Sequence, residues 1–213
     1  MSNQSKFDAD YFERGKETGK SCYSHYRWLP ELTTNLARTY IKHLKIQKTD
    51  RILDYGCAKG YTVKALRALG YHAWGCDISE YALGCADPET APYLKLSTKL
   101  DPAPFWTLFD FIIAKDVFEH IPESEIDPVL QSMRCCGKNL FAIIPLGDHN
   151  EFVVPEYELD ITHCTRQNPL WWIDKLKSNS WKLKEFSYLV PGMKDNWAHY
   201  PKGNGFFLAI NRI

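Results

Sequence analysis

Two acids and two glycines stand where apolar runs give out. "RILDYGCAKGYT", residues 51–62, carries Asp54, Gly56 and Gly60 directly after a short apolar run, and "GCDIS" ends the next such run on Asp77. Glycines at such a place let the backbone turn left-handed and come close to a ligand. A dinucleotide turn would need glycines at 58 and 61, where this chain has Ala58 and Tyr61. A nucleoside-triphosphate loop would close on Gly-Lys-Ser/Thr, but Gly60 is followed by Tyr61. The pattern that remains suits a ligand with a cationic amino group, which Asp54 receives directly or through water. It also suits a ribose whose two hydroxyls donate to Asp77, with no pyrophosphate between. S-Adenosylmethionine has those parts.

A second group of reactive side chains lies in "DVFEHIP", with Asp116, Glu119 and His120 at the end of a strongly apolar run. Polar groups placed there need partners. They can form a structural acid–histidine pair. Alternatively, His120 can act as general base on an acceptor hydroxyl, tuned by Glu119. Further on, "ELDITHCTRQNPLWWIDKL" holds Asp160, Thr162 and His163 in a long loop. Such loops carry function more often than not, although Asp160 and Thr162 could equally cap the helix that follows. "SCYSHYRWLP", residues 21–30, reads either as aromatic packing or as a lid, with Tyr26 or Arg27 reaching a carboxylate of the ligand. "YPKGNGFF", residues 200–207, reads as a turn into the last strand, without chemistry.

These residues need a scaffold, and the hydrophobic pattern predicts one. Leu32, Leu36, Tyr40 and Leu44 recur every four residues, as in an amphipathic helix over 31–47. Strands are predicted at 51–55, 71–76, 93–96, 109–114, 139–144, 181–189 and 206–210. Helices are predicted at 62–69, 80–86, 126–133 and 165–177, with Gly70 ending the first. The last takes Thr165 as N-cap and Pro169 in its first turn. Strands alternating with helices imply an α/β fold, a doubly wound and mostly parallel seven-stranded sheet of Rossmann-like type. Ligands bind such sheets at the carboxyl ends of strands, where Asp54, Asp77 and Asp116 fall. Residues 1–48 are expected to form a helical cap or lid, and 49–213 the α/β domain.

Composition narrows the partners. Lysine plus arginine and aspartate plus glutamate both total 26, so the formal net charge is zero. That argues against a nucleic-acid footprint. The seven cysteines form no Cys-x-x-Cys pair, which suits reduced thiols and a cytoplasmic setting. "MSNQSKFDAD" shows no basic-then-apolar leader, and no apolar run approaches the roughly 20 residues of a membrane helix.

Taken in order, "ILDYGCAKGYTVKALRALGY", "GCDIS" and "FDFIIAKDVFEHIPE" resemble the motifs of class I S-adenosylmethionine-dependent methyltransferases. The resemblance covers residues 50 to about 145 well and the rest more loosely. It departs from the family at Ala58, where the middle glycine of the turn is usual. It departs again at Ser97 and Thr98, where an adenine-binding acid is often found. It implies a cofactor site of Asp54, Gly56, Cys57, Ala58, Gly60, Asp77, Ile78 and Lys115, with Tyr26 and Arg27 from the lid. Catalysis would fall to His120, Glu119, Asp116 and His163. Ubiquinone-biosynthesis O-methyltransferases and RNA 3′-end 2′-O-methyltransferases resemble the chain here, and both hold a divalent cation on a Glu-x-x-Glu-His core. Asp116 shortens the first ligand by one methylene, so a base is expected rather than a metal. If a metal is present, Asp116, Glu119, His120 and His163 would hold it. The expected activity is methyl transfer to a small-molecule or sugar-linked acceptor, at oxygen. The alternatives are an RNA-end or other macromolecule methyltransferase with a divalent metal, and a cofactor-binding module without chemistry.

Overall fold

The computed structural model describes residues 6–98 and 104–211. Residues 1–5 of the expected cap, and with them half of the segment inspected for a leader, lie outside the described residues. The chain divides into two compact units, Met1–Pro104 and Phe105–Ile213.

The first unit opens with two short helices, α1 (Ala9–Glu13) and α2 (Gly15–Thr18), and a longer one, α3 (Pro30–Leu44). Proline in the first turn starts α3, and left-handed Lys45 stops it. Its buried stripe is Ala37, Tyr40 and Leu44, whereas Leu32 is 66% exposed. The four-residue spacing overreached because each step of four drifts about 40° around a helix of 3.6 residues per turn. Leu32 therefore sits about 120° from Leu44. Then follow β1 (Arg51–Tyr55), α4 (Tyr61–Ala68), β2 (His72–Asp77), α5 (Glu80–Gly84) and β3 (Leu94–Leu96). The strands run parallel in the order β3-β2-β1, with Asp54 opposite Gly75 and Asp77 opposite Leu96. Ile52 and Leu53, on opposite faces of β1, are both fully buried, as are Val63, Ala65 and Leu66 of α4, as a strand covered on both faces requires.

The second unit carries β4 (Phe109–Lys115), α6 (Glu123–Cys136), β5 (Gly137–Pro145), a small hairpin β6 (Gly147–Asp148) and β7 (Glu151–Phe152), α7 (Pro169–Ser178), β8 (Trp181–Ser187) and β9 (Asn204–Asn211). Here β4 and β5 are parallel, and β9 joins antiparallel between β5 and β8. The units supply three and four strands, the seven of the expected doubly wound, mostly parallel sheet. The hairpin and the 3₁₀ turns Phe118–His120, Pro155–Leu159 and Asp195–Trp197 carry no hydrophobic period and were not anticipated. Thr165 is not the N-cap of α7. Its hydroxyl donates to Ile121 O at 2.6 Å, and Asn168 caps the helix by accepting from Trp171 N. No helix among the described residues is long and apolar enough to cross a membrane.

Candidate functional site

In the first unit the backbone after β1 folds back on the end of β2. The N–H groups of Gly56 and Cys57 both donate to Cys76 O, at 2.8 and 3.0 Å, and Gly60 N donates to Cys57 O at 2.8 Å. Gly56, Ala58 and Gly60 all take positive φ, at 77°, 48° and 76°. At Gly60 a Cβ would also lie 2.7 Å from Leu94 Cδ1, so glycine is required twice over. Ala58 bears the left-handed strain that a glycine would not. Ala58→Gly should therefore raise unfolding free energy by about 0.5 kcal/mol, the strain relieved less the added freedom of the unfolded chain, as urea unfolding would read.

Asp77 is clamped by this turn: Oδ2 accepts from Ala58 N at 2.7 Å and Oδ1 from Ser79 N at 2.8 Å. Burial raises its pKa, and the amide donors from Ser79, Ala58 and Ile78 oppose that rise. A carboxylate offers about four lone-pair sites. Two amides leave each oxygen a site for one hydroxyl of a ribose diol, so the residues present fit the expected ligand. Asp54 is buried at the carboxyl end of β1, and Cys57 is buried beneath the turn with its thiol pKa pushed up by burial. Of the expected lid residues, Tyr26 is half-buried and Arg27 exposed. The ring of Tyr26 packs on Tyr61 with centroids 5.4 Å apart.

In the second unit the acid–histidine group forms at the end of β4, but with a different membership from the expected one. Among the described residues, Glu119, His120 and His163 bring ligand-capable atoms within 4.8 Å of one another. The loop after β7 is drawn in by its backbone, with Cys164 N and Thr165 N donating to Glu119 O at 2.8 and 3.1 Å. Asp116 is not a member of that group of three. Left-handed at φ 55°, it ion-pairs with Lys115 and with Lys194. Burial would raise its pKa, but the two ammonium groups outweigh that and hold it below the usual carboxylate range. Lys115, expected on the cofactor, is thus engaged by its neighbour.

Hydrogen bonds fix both imidazoles. Thr162 Oγ1 donates its one proton to Asp160 Oδ1 at 2.6 Å, so it can only accept from His120 Nδ1, 2.8 Å away. His163 Nδ1 lies 2.7 Å from Tyr157 O, a carbonyl that can only accept. Each ring therefore carries its proton on Nδ1 and keeps a lone pair on Nε2. The rings are tilted, with centroids 4.6 Å apart. Burial, and then the neighbouring His163, lowers the His120 pKa to about 3. Glu119 is 0% exposed, and neither carboxylate oxygen has a hydrogen-bond partner among the described residues. Burial, then the charge of Asp116, raises its pKa well above the ordinary value.

Two contributors, Lys194 and Lys59, were not singled out from the sequence, and two that were take a different part. Asp160 and Thr162 orient His120 rather than capping α7. Lys194 is buried and donates to Tyr157 Oη at 2.7 Å and Asn204 Oδ1 at 3.2 Å besides pairing with Asp116. Lys59, inside the glycine turn, is only 7% exposed and ion-pairs with Glu13. A lysine flanked by glycine-turn residues is the one signal that could have flagged it.

A family model described as a methyltransferase domain matches residues 23–174. The ubiquinone biosynthesis O-methyltransferase of Aromatoleum aromaticum is 30% identical over 102 residues, 44% of each chain, so the chain spans less than half the length of that relative. Phosphoethanolamine N-methyltransferase 2 of Haemonchus contortus, in complex with S-adenosyl-L-methionine, superposes with a TM-score of 0.70 at 13% identity, over 99% of this chain and 60% of that one. Magnesium protoporphyrin IX methyltransferase of Synechocystis PCC 6803, with bound SAH, superposes at 0.67 and 12% identity, over 98% and 97%. At such identities the likeness is one of fold.

Proposed function

Because the chain belongs to the methyltransferase-domain family, we propose that it transfers a methyl group from S-adenosylmethionine to an oxygen of a small-molecule acceptor. The observation that carries this is the clamped Asp77 beside a turn of three left-handed residues. Such a turn offers a diol acceptor and close backbone approach with no phosphate cradle. Oxygen is favoured by the O-methyltransferase relative and by the donor set of the second unit.

Bound S-adenosylmethionine supplies the methyl group and its sulfur leaving group. The protein's residues bind and orient. Asp77 holds the ribose diol and Asp54 the amino group. Positioning of this kind is worth roughly 7–11 kcal/mol of barrier.

Glu119, His120 and His163 would hold a divalent cation, for which a carboxylate and two imidazole lone pairs suit Mn²⁺, Zn²⁺ or Mg²⁺. When bound, the cation polarises an acceptor oxygen and eases loss of its proton. The orphaned Glu119 carboxylate favours this over the base expected from the sequence. A base works best with a pKa near the working pH, and burial moves that of His120 downward, away from it. For the cation the same burial is harmless, since it keeps the imidazole neutral.

S-Adenosylhomocysteine at about 100 times its dissociation constant should stabilise the fold by roughly 2.7 kcal/mol, or about 5–10 °C in Tm, whereas NADH should not. The reverse result would end the cofactor reading. Methyl-labelled S-adenosylmethionine incubated with a fractionated metabolite pool should label small molecules through stable methyl ethers. Binding without label transfer to any fraction would leave a cofactor-binding module without chemistry.

A further inference from the structure

We propose that Lys59 is a positioning residue for the methionine end of the cofactor, drawing the segment around Tyr26 onto the turn after β1. The inference rests on the cofactor reading above. Lys59 lies between Ala58 and Gly60, yet its side chain turns away from the turn's own backbone toward the N-terminal helices. Its ammonium pairs with Glu13, the last residue of α1, and donates to Tyr26 O at 2.8 Å. A buried lysine is retained only where such partners satisfy it. Glu13 is fixed in turn: the same carboxylate oxygen accepts from Tyr81 Oη of α5 at 3.0 Å. The backbone around Tyr26 is tied to α1 as well, with His25 N donating to Glu13 O and Tyr26 N to Phe12 O, both at 2.9 Å.

The consequence falls on the Tyr26 phenol. Its ring is held between Phe12, Tyr23 and Tyr61, at centroid distances of 5.7, 4.9 and 5.4 Å. Burial, then the negative charge of Asp54, keeps the phenol protonated well beyond its ordinary range. The ring that bears this neutral donor stands against Tyr61, the first residue of α4, directly after the turn that follows β1. An amino-acid end carries both an ammonium and a carboxylate. Asp54 suits the first and the Tyr26 hydroxyl the second. Lys59 touches neither, because Glu13 and Tyr26 O engage it. Its contribution is preorganisation: without it the segment must be ordered at the expense of binding. The ribose is held separately, by Asp77 through Ala58 N and Ser79 N.

That separation gives a readout which loss of general stability would not produce. By calorimetry on the full chain, Lys59→Met should weaken S-adenosylhomocysteine about tenfold or more and leave adenosine, which lacks the methionine, within about twofold. Glu13→Gln should shift the same ratio in the same direction by less, because the bond to Tyr26 O remains. Lys59→Arg should recover most of the lost affinity. Equal weakening of both ligands would overturn the proposal, since Lys59 would then only support the turn. An unchanged affinity for S-adenosylhomocysteine would overturn it too. If Lys59→Met does not fold, the Glu13→Gln ratio decides in the same way. A wild-type chain that binds neither ligand would sink the cofactor reading, and this proposal with it.

Discussion

Chelation should slow methyl transfer by about 10²- to 10⁴-fold, and added Mg²⁺ or Mn²⁺ should restore it, since a Lewis acid contributes several kcal/mol to such a step. The expectation follows from the balance of charges and lone pairs in the second unit. Two imidazoles keep their Nε2 lone pairs, and a buried carboxylate has no partner among the described residues, a deficit that costs about 1–3 kcal/mol. His163→Ala and His120→Ala should therefore fail together, since either opens the same set of ligands. Thr162→Val, which removes the acceptor for His120 Nδ1–H, should cost about 10- to 100-fold in cation affinity. If His120 were a simple base, chelation would be harmless, His163→Ala would stay active, and the rate lost in His120→Ala would return at high pH.

Binding can be followed without turnover. Burial holds Glu119 protonated above its ordinary range, and a cation needs it ionised. Calorimetry with Mn²⁺ should show proton release and an affinity that rises with pH. Stability has a matching sign. A carboxyl whose folded pKa lies above its unfolded one contributes stability below the ordinary glutamate value. That contribution fades as pH climbs toward the raised one. Melting without a cation should show this decline, and a bound cation should reverse it.

The strands were legible because each is a short apolar run closed by a turn or a polar residue, and β1 falls at 51–55 as predicted. The turn after β1 was legible because left-handed backbone leaves a glycine signature, visible even with Ala58 interrupting it. The partners of the second cluster were harder to read. Asp116 stands three residues from Glu119, and spacing suggested a shared task. Whether they share one depends on Lys194, which a distant loop delivers and which has no periodic signature. Thr162 and Asp160 look like helix-capping residues because the same hydroxyl and carboxylate chemistry serves either end. Only the position of Asn168, one residue before the proline of α7, settles which residue caps. Lys59 was missed for the same reason: its partner Glu13 lies on α1, far off in sequence, and local sequence cannot distinguish a buried ammonium from a solvated one.

Asp77→Ala should abolish nearly all of the thermal shift given by S-adenosylhomocysteine. Two hydroxyls donating to a charged acceptor are worth about 1.5–3 kcal/mol each, so the affinity should fall by about 10²- to 10⁴-fold. Part of the loss could arise from the turn itself, because the same carboxylate accepts from Ala58 N and Ser79 N. The two contributions separate in a cycle with the ligand as the second partner. The wild-type chain should prefer adenosine to 2′-deoxyadenosine, since only adenosine offers both hydroxyls. Asp77→Ala should bind the two alike, however much the turn has loosened, because the group that distinguishes them is gone. Asp77→Asn should lie between. Its amide oxygen can accept from one backbone N–H and one hydroxyl, while its NH₂ must face a donor on the other side. If Asp77→Ala kept the wild-type preference for the ribose diol, Asp77 would be a brace for the turn. The diol would then have to be held elsewhere.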